Sequence, residues 1–229
     1  MRILFLNLPN AKRMVRRYSC SYMARGFLYP PLELLRPASI VKQKGKHEIF
    51  FLDAIAKGLD EKSVASYMDS RAIDVVVTLI GFECSDDDMD VVRRLKKGRD
   101  IKVVGIGYIP FRFKEEFREL DVILDDLFEQ RVALASPEED FIAGLKRTFK
   151  KRVDFDPDVL DKTDLRLISH SDYSEIFCGG PTGFLYRAFG CPFRCTYCIR
   201  SYDQKSYTRE TQTKCLTRSG ICTIMGIRT

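Results

Sequence analysis

No apolar run in this 229-residue chain approaches the ~20 residues that a helix needs to cross a bilayer. The opening MRILFLNLPN carries one Arg and a short apolar run, then turns to Asn and Pro rather than to small residues suited to signal cleavage. With no membrane span and no secretory leader, the protein reads as cytoplasmic. A strong charge of one sign is also missing: the net charge is +6. Basic residues gather at Lys12, Arg13, Arg16, Arg17 and Arg25, and again in RRLKKGR from Arg93 to Arg99. A nucleic-acid interface is usually more basic and carries a recognisable binding motif, so nucleic acid is not expected as a partner. Both groups read as solvated loop and helix faces, with a phosphate-bearing ligand or RNA as the alternative. No internal repeat or low-complexity tract is present.

What is present describes a folded globular protein. Hydrophobic residues at 45% and charged residues at 31% exclude a disordered chain. The length allows one large domain, or one domain and part of another. Eight cysteines without a secretory signal argue against a disulfide framework and for metal binding or redox chemistry.

Residues 1–150 alternate between two hydrophobic periods. RILFLNL, HEIFFLDA, DVVVTLIG, KVVGIGY and DVILDDL read as five strands, and the continuous apolar character of the first suits a buried parallel position. Helices are expected in PLELLRPASIVKQKG, ending near Gly45 and weakened by Pro37, then in LDEKSVASYMDSR and SDDDMDVVRRLKKG. In the third, Ser85 or Asp86 is expected to cap. Ser136, Pro137 and Glu139 predict a capping box for a further helix with Phe141, Leu145 and Phe149 on one face. Strands alternating with helices imply a doubly wound, Rossmann-like parallel sheet of α/β class. Such sheets bind ligands beyond the carboxyl ends of their strands, which directs attention to loops 8–31, 53–58, 81–88 and 105–112. Residues 151–181, rich in Asp, Pro and Ser, read as a linker. TGFLYRAFG then reads as a strand that opens a second domain over residues 182–229.

That strand leads into FGCPFRCTYCIR, with Cys191, Cys195 and Cys198 in C-x3-C-x2-C spacing. A short loop can bring three sulfurs together, whereas a disulfide would strain it and leave one thiol over. Clustered thiolates suit an iron–sulfur cluster or zinc. A structural zinc site wants a fourth ligand, from Cys178, Cys215 or Cys222, none at a matching offset. A four-iron cluster held by three cysteines instead leaves one iron open to an outside ligand.

GCPFRCTYC resembles the cysteine motif of the radical S-adenosylmethionine (SAM) superfamily, G-C-P-x-x-C-x-aromatic-C. The resemblance implies a [4Fe–4S] cluster on Cys191, Cys195 and Cys198, SAM on the open iron, and Tyr197 against the SAM adenine. It implies reductive cleavage of SAM to a 5′-deoxyadenosyl radical, a reductant such as flavodoxin or ferredoxin, and a small-molecule substrate. With a five-strand α/β domain and a linker ahead of it, the whole is similar to radical SAM enzymes that carry a cobalamin-binding domain, many of them methyltransferases. Cobalamin contacts are then expected from the loops after the first, third and fourth strands, at Asn7, Pro9, Gly81, Gly105 and Gly107.

Three departures stand beside the resemblance. The D-x-H-x-x-G motif that supplies a cobalt-ligating His in many cobalamin domains is absent. His47 and His170 are the only histidines and read as ordinary surface or capping residues, so cobalamin would bind without a protein His. A radical SAM barrel takes ~200 residues or more, and the chain supplies its first strand and cluster loop only, which predicts a truncated, inactive barrel. The tail from about residue 210 has no apolar stripe; one choice of synonymous codons, read in another frame, encodes an amphipathic helix, so a frameshift is expected there. The rival reading is a non-catalytic ligand-binding α/β module whose cysteines form a structural zinc knuckle. A response-regulator-like or nucleotide-binding domain is set aside, since the first loop lacks an acidic cluster and no phosphate loop is present.

Overall fold

A computed structural model describes residues 1–24, 26–135, 139–153, 163–174, 188–189, 191–193, 195–198 and 207–209. The chain divides into two units, one of residues 1–25 and 31–168, the other of residues 26–30 and 169–229.

The first unit is built on a five-stranded sheet. In chain order its elements are β1 (Arg2–Asn7), β2 (Met14–Arg17), β3 (Cys20–Met23), α1 (Leu32–Gln43), β4 (Glu48–Asp53), α2 (Glu61–Ser70), β5 (Val75–Leu79), α3 (Ser85–Lys96), β6 (Lys102–Ile106), α4 (Tyr108–Arg112), β7 (Val122–Leu124), α5 (Phe128–Leu134) and α6 (Phe141–Thr148). The sheet order is β4-β1-β5-β6-β7, with every neighbouring pair parallel. Parallel strands need crossovers, and the apolar runs at Ile3–Leu6 and Val75–Leu79 are buried on both faces as that arrangement demands. Leu4 and Leu6 join Val64 and Met68 of α2 and Val92 and Leu95 of α3 in one core. By strand alternation Ile3 and Phe5 point to the opposite face, where α1 lies along the sheet and packs on α5.

Three local departures have physical causes. Pro37 lies inside α1 beyond its first turn, yet the helix continues because Leu34, Leu35, Ala38 and Val41 are all buried. It ends as expected, with Gly45 at φ +72° after Lys44. The expected Ser85 or Asp86 cap of α3 is corrected: Cys84 occupies the cap position and no side chain caps it. Ser136, Pro137 and Glu138 lie outside the described residues; α6 begins instead at Asp140, whose carboxylate accepts from the Ala143 N–H at 3.0 Å.

The α1–α5 interface carries charge in its interior. Arg36 donates to Glu129 Oε1 at 3.0 Å, and Glu129 is fully buried. Arg17 donates to the neighbouring Glu33 at 2.7 Å. Lys44, just past α1, donates to the carbonyls of Val132 and Ala133 at 3.1 and 2.7 Å and so closes the end of α5.

In the second unit, Leu28 pairs with Ser174 across an isolated antiparallel bridge. Strand β8 (Ala188–Phe189) pairs antiparallel with β9 (Thr208–Arg209). The remainder of the strand expected over 182–190, and the tail from residue 210, lie outside the described residues. No helix among the described residues is long and apolar enough to cross a membrane.

Candidate functional site

The cysteine run follows β8. Cys191 is exposed, Cys195 and Cys198 are half-buried, and none of the three is in a disulfide. The Cys198 N–H donates to the Cys195 carbonyl at 3.0 Å, which folds C-T-Y-C into a single turn. Tyr197 is 89% exposed and Phe193 is 70% exposed, so both aromatics beside the thiols are open to a ligand. Cysteine donors at this short spacing suit an iron–sulfur cluster or zinc. Among the described residues, however, no three His, Cys, Asp or Glu side chains gather into a group able to hold a metal ion, the three thiols included. Cys178, Cys215 and Cys222 lie outside the described residues.

A second concentration of polar chemistry lies at the carboxyl edge of the sheet. The expectation of a solvated basic loop after β1 holds for Lys12 and Arg13, which are exposed. It is corrected for Arg16 and Arg17, which lie in the β2–β3 hairpin, paired from Met14↔Met23 to Arg17↔Cys20; Arg25 lies outside the described residues. Arg16 is 1% exposed. Its Nε and Nη2 donate to Asp88 at 2.9 and 2.6 Å, while Nη1 donates to Asn7 Oδ1 at 3.1 Å and to the Leu8 carbonyl at 2.9 Å. Asn7 in turn donates to Asp53 at 2.8 Å, and the Gly81 N–H donates to Asp88 at 2.8 Å. The network thus ties together the ends of β4, β1 and β5 and the first turn of α3. Ser21 of β3 adds a latch to Glu83: its N–H donates at 2.5 Å and its hydroxyl binds the same carboxylate oxygen. The Tyr108 N–H donates to the Tyr18 carbonyl at the hairpin tip, at 2.7 Å.

All five positions expected to meet cobalamin lie along this edge. Asn7 is engaged by Asp53 and Arg16. A Cβ at Gly81 would run into Cys84 Sγ, one at Gly105 would lie 2.5 Å from Leu120 Cδ1, and one at Gly107 would lie 2.6 Å from the Ile80 carbonyl oxygen. The three glycines therefore make room for the chain's own atoms. Pro9 lines a groove. Asn7, Gly81, Gly105 and Gly107 are thus taken up by contacts within the chain.

Both histidines sit outside these groups. His47 meets Phe141 edge-on at 5.8 Å, and its pKa is lowered by burial and by the nearby amino terminus and Lys46. His170 is lowered by burial alone.

The groove holds about 870 Å³ and lies over the carboxyl ends of β1 and β4. Pro9 to Arg13 form one wall, Ala54 to Glu61 a second, and the exposed side of α3 a third. An Asx turn shapes the first wall, where Asn10 accepts from the N–H groups of Lys12 and Arg13 at 2.8 and 3.0 Å, and Arg13 adopts φ +50°. Asp53 shapes the second, accepting from the Ala56 N–H at 3.0 Å.

The spacing of the cysteines was legible in the sequence, but the hairpin, the Arg16 network and the groove were not. Only the pairing of a basic loop with the acidic start of α3 could have signalled the network. Compared with family models, curated proteins and solved structures, the chain finds no match in any of the three.

Proposed function

We propose that Cys191, Cys195 and Cys198 bind a [4Fe–4S] cluster with SAM at its open iron, and that the protein is of radical SAM type, acting in radical methyl transfer or a related radical reaction on a small molecule. What carries the reading is the C-x3-C-x2-C run with an aromatic before its last Cys. Three cysteines outside any disulfide and the Cys195–Cys198 turn are compatible with it. A cluster held there supplies, when bound, the electron for reductive cleavage of the sulfonium of SAM, delivered by a reductant of flavodoxin or ferredoxin type. The chain's own part is to hold the three sulfurs on one short loop, leave one coordination position open, and offer Tyr197 as a flat surface for the adenine.

Anaerobic reconstitution with iron and sulfide tests the proposal. About four irons per chain and a broad brown absorbance, both lost in Cys195→Ala, are expected. SAM should then perturb the spectrum of the reduced cluster. Failure to take up iron overturns the reading. Tight, stoichiometric, colourless zinc would establish the zinc-knuckle module in its place.

A further inference from the structure

We propose that the groove over β1 and β4 is a binding site for a small organic phosphate ester, separate from the cysteine run. The argument begins with what is closed. In open α/β sheets the ligand crevice lies where the strand order reverses. Here the chain passes from β1 outward to β4 and then back across to β5, so the reversal lies between β1 and β5. That position is filled by the Arg16 guanidinium and its partners, Asn7, Leu8 and Asp88. The carboxyl edge is open one strand away, in the groove over β1 and β4.

The volume of the groove, about 870 Å³, falls in the range that accommodates small ligands. Its walls include Ala54, Ile55, Leu59 and Val91, which suit an apolar or aromatic body. The first wall carries cations alone, Lys12 and Arg13, while Lys57, Arg94 and the carboxylates Asp60, Glu61, Asp87 and Asp90 belong to the other two walls. Four carboxylates line it, and three are engaged within the fold. Asp60 caps α2 by accepting from the Ser63 N–H at 2.8 Å, Glu61 accepts from Arg94 at 2.7 Å, and Asp90 accepts from Arg93 at 2.6 Å. Among the described residues, Lys12 and Arg13 form no ion pair. Both are exposed, adjacent and set at the rim by the Asx turn. Two cations beside an apolar wall match an anion carried on an organic body, and a dianionic phosphate monoester supplies it.

Isothermal titration of the full chain with adenosine 5′-monophosphate, adenosine and inorganic phosphate tests this. The monophosphate should bind saturably, with adenosine and phosphate each at least tenfold weaker. Replacing both cations (Lys12→Ala with Arg13→Ala) should weaken the monophosphate at least tenfold without moving the thermal midpoint. Ala11→Tyr, which fills the groove and leaves its charge alone, should abolish binding. Cys195→Ala should leave binding unchanged, which separates this site from any SAM site. Absence of saturable binding up to millimolar monophosphate, or equal affinity in the Lys12/Arg13 double variant, would overturn the proposal.

Discussion

Arg16 of the β2–β3 hairpin and Asp88 in the first turn of α3 form a bidentate ion pair buried beyond the reach of water. Neither residue is conspicuous in the sequence, where both read as members of charged, solvated runs. Together they determine which part of the carboxyl edge is open.

Removing one partner leaves a buried charge without its counterion. Arg16→Met or Asp88→Leu should each lower stability by about 3–5 kcal/mol, read from urea unfolding. The double change should recover most of the loss, because it removes both charges and keeps apolar bulk. A double variant no more stable than the single ones would show that Asn7 and Gly81 depend on the pair as well.

Glu129 gives a pH dependence of defined sign. Burial pushes its carboxyl up from 4.5 to about 7; Arg36 opposes the rise and Glu33 adds to it. The fold therefore favours the protonated acid. The associated stability is complete below the unfolded value near 4.5 and is lost as pH rises through about 7. The difference is on the order of 3 kcal/mol. Unfolding midpoints measured between pH 5 and 8 should fall in the wild type and remain flatter in Glu129→Gln.

The cysteines should separate by reactivity. Burial and then the Asp88 charge push the Cys84 thiol up to about 11, so little thiolate exists at pH 8. Cys20 and Cys191 are exposed. Peptide mass spectrometry of metal-free protein after brief iodoacetamide treatment should find Cys20 and Cys191 modified and Cys84 intact.

The glycines of the carboxyl edge should behave as packing positions. Gly107→Ala sets a Cβ against the Ile80 backbone carbonyl, which cannot swing away, whereas Gly105→Ala meets the tip of the Leu120 side chain. Both should destabilise the cofactor-free protein, within about 1–3 kcal/mol, with Gly107→Ala the worse. Equal midpoints for wild type and Gly107→Ala would contradict this packing.

The sequence conveyed the architecture well where apolar period alone decided it. The five parallel strands and helices α1, α2 and α3 follow from runs such as ILFL and VVVTL and from the spacing of Val64 and Met68. It misled where charge turned inward. MVRR and CSYM are four-residue strands whose polar residues are partly buried, and FEQRVAL of α5 buries Glu129, Gln130 and Arg131. Charged residues are read as solvated because they usually are; buried pairing reverses the rule, and the partners are remote in sequence. The thiol spacing was readable because its three positions are neighbours. The groove was not, since its walls come from loops that meet only once β1 and β4 lie side by side.

Arg16 and Asp88 are separated by 72 positions along the chain. The hairpin can fold locally early, yet it has nothing to clasp until α3 has been synthesised and has docked. Its closure therefore belongs to the late part of folding, and loosening the clasp should speed unfolding far more than it slows refolding.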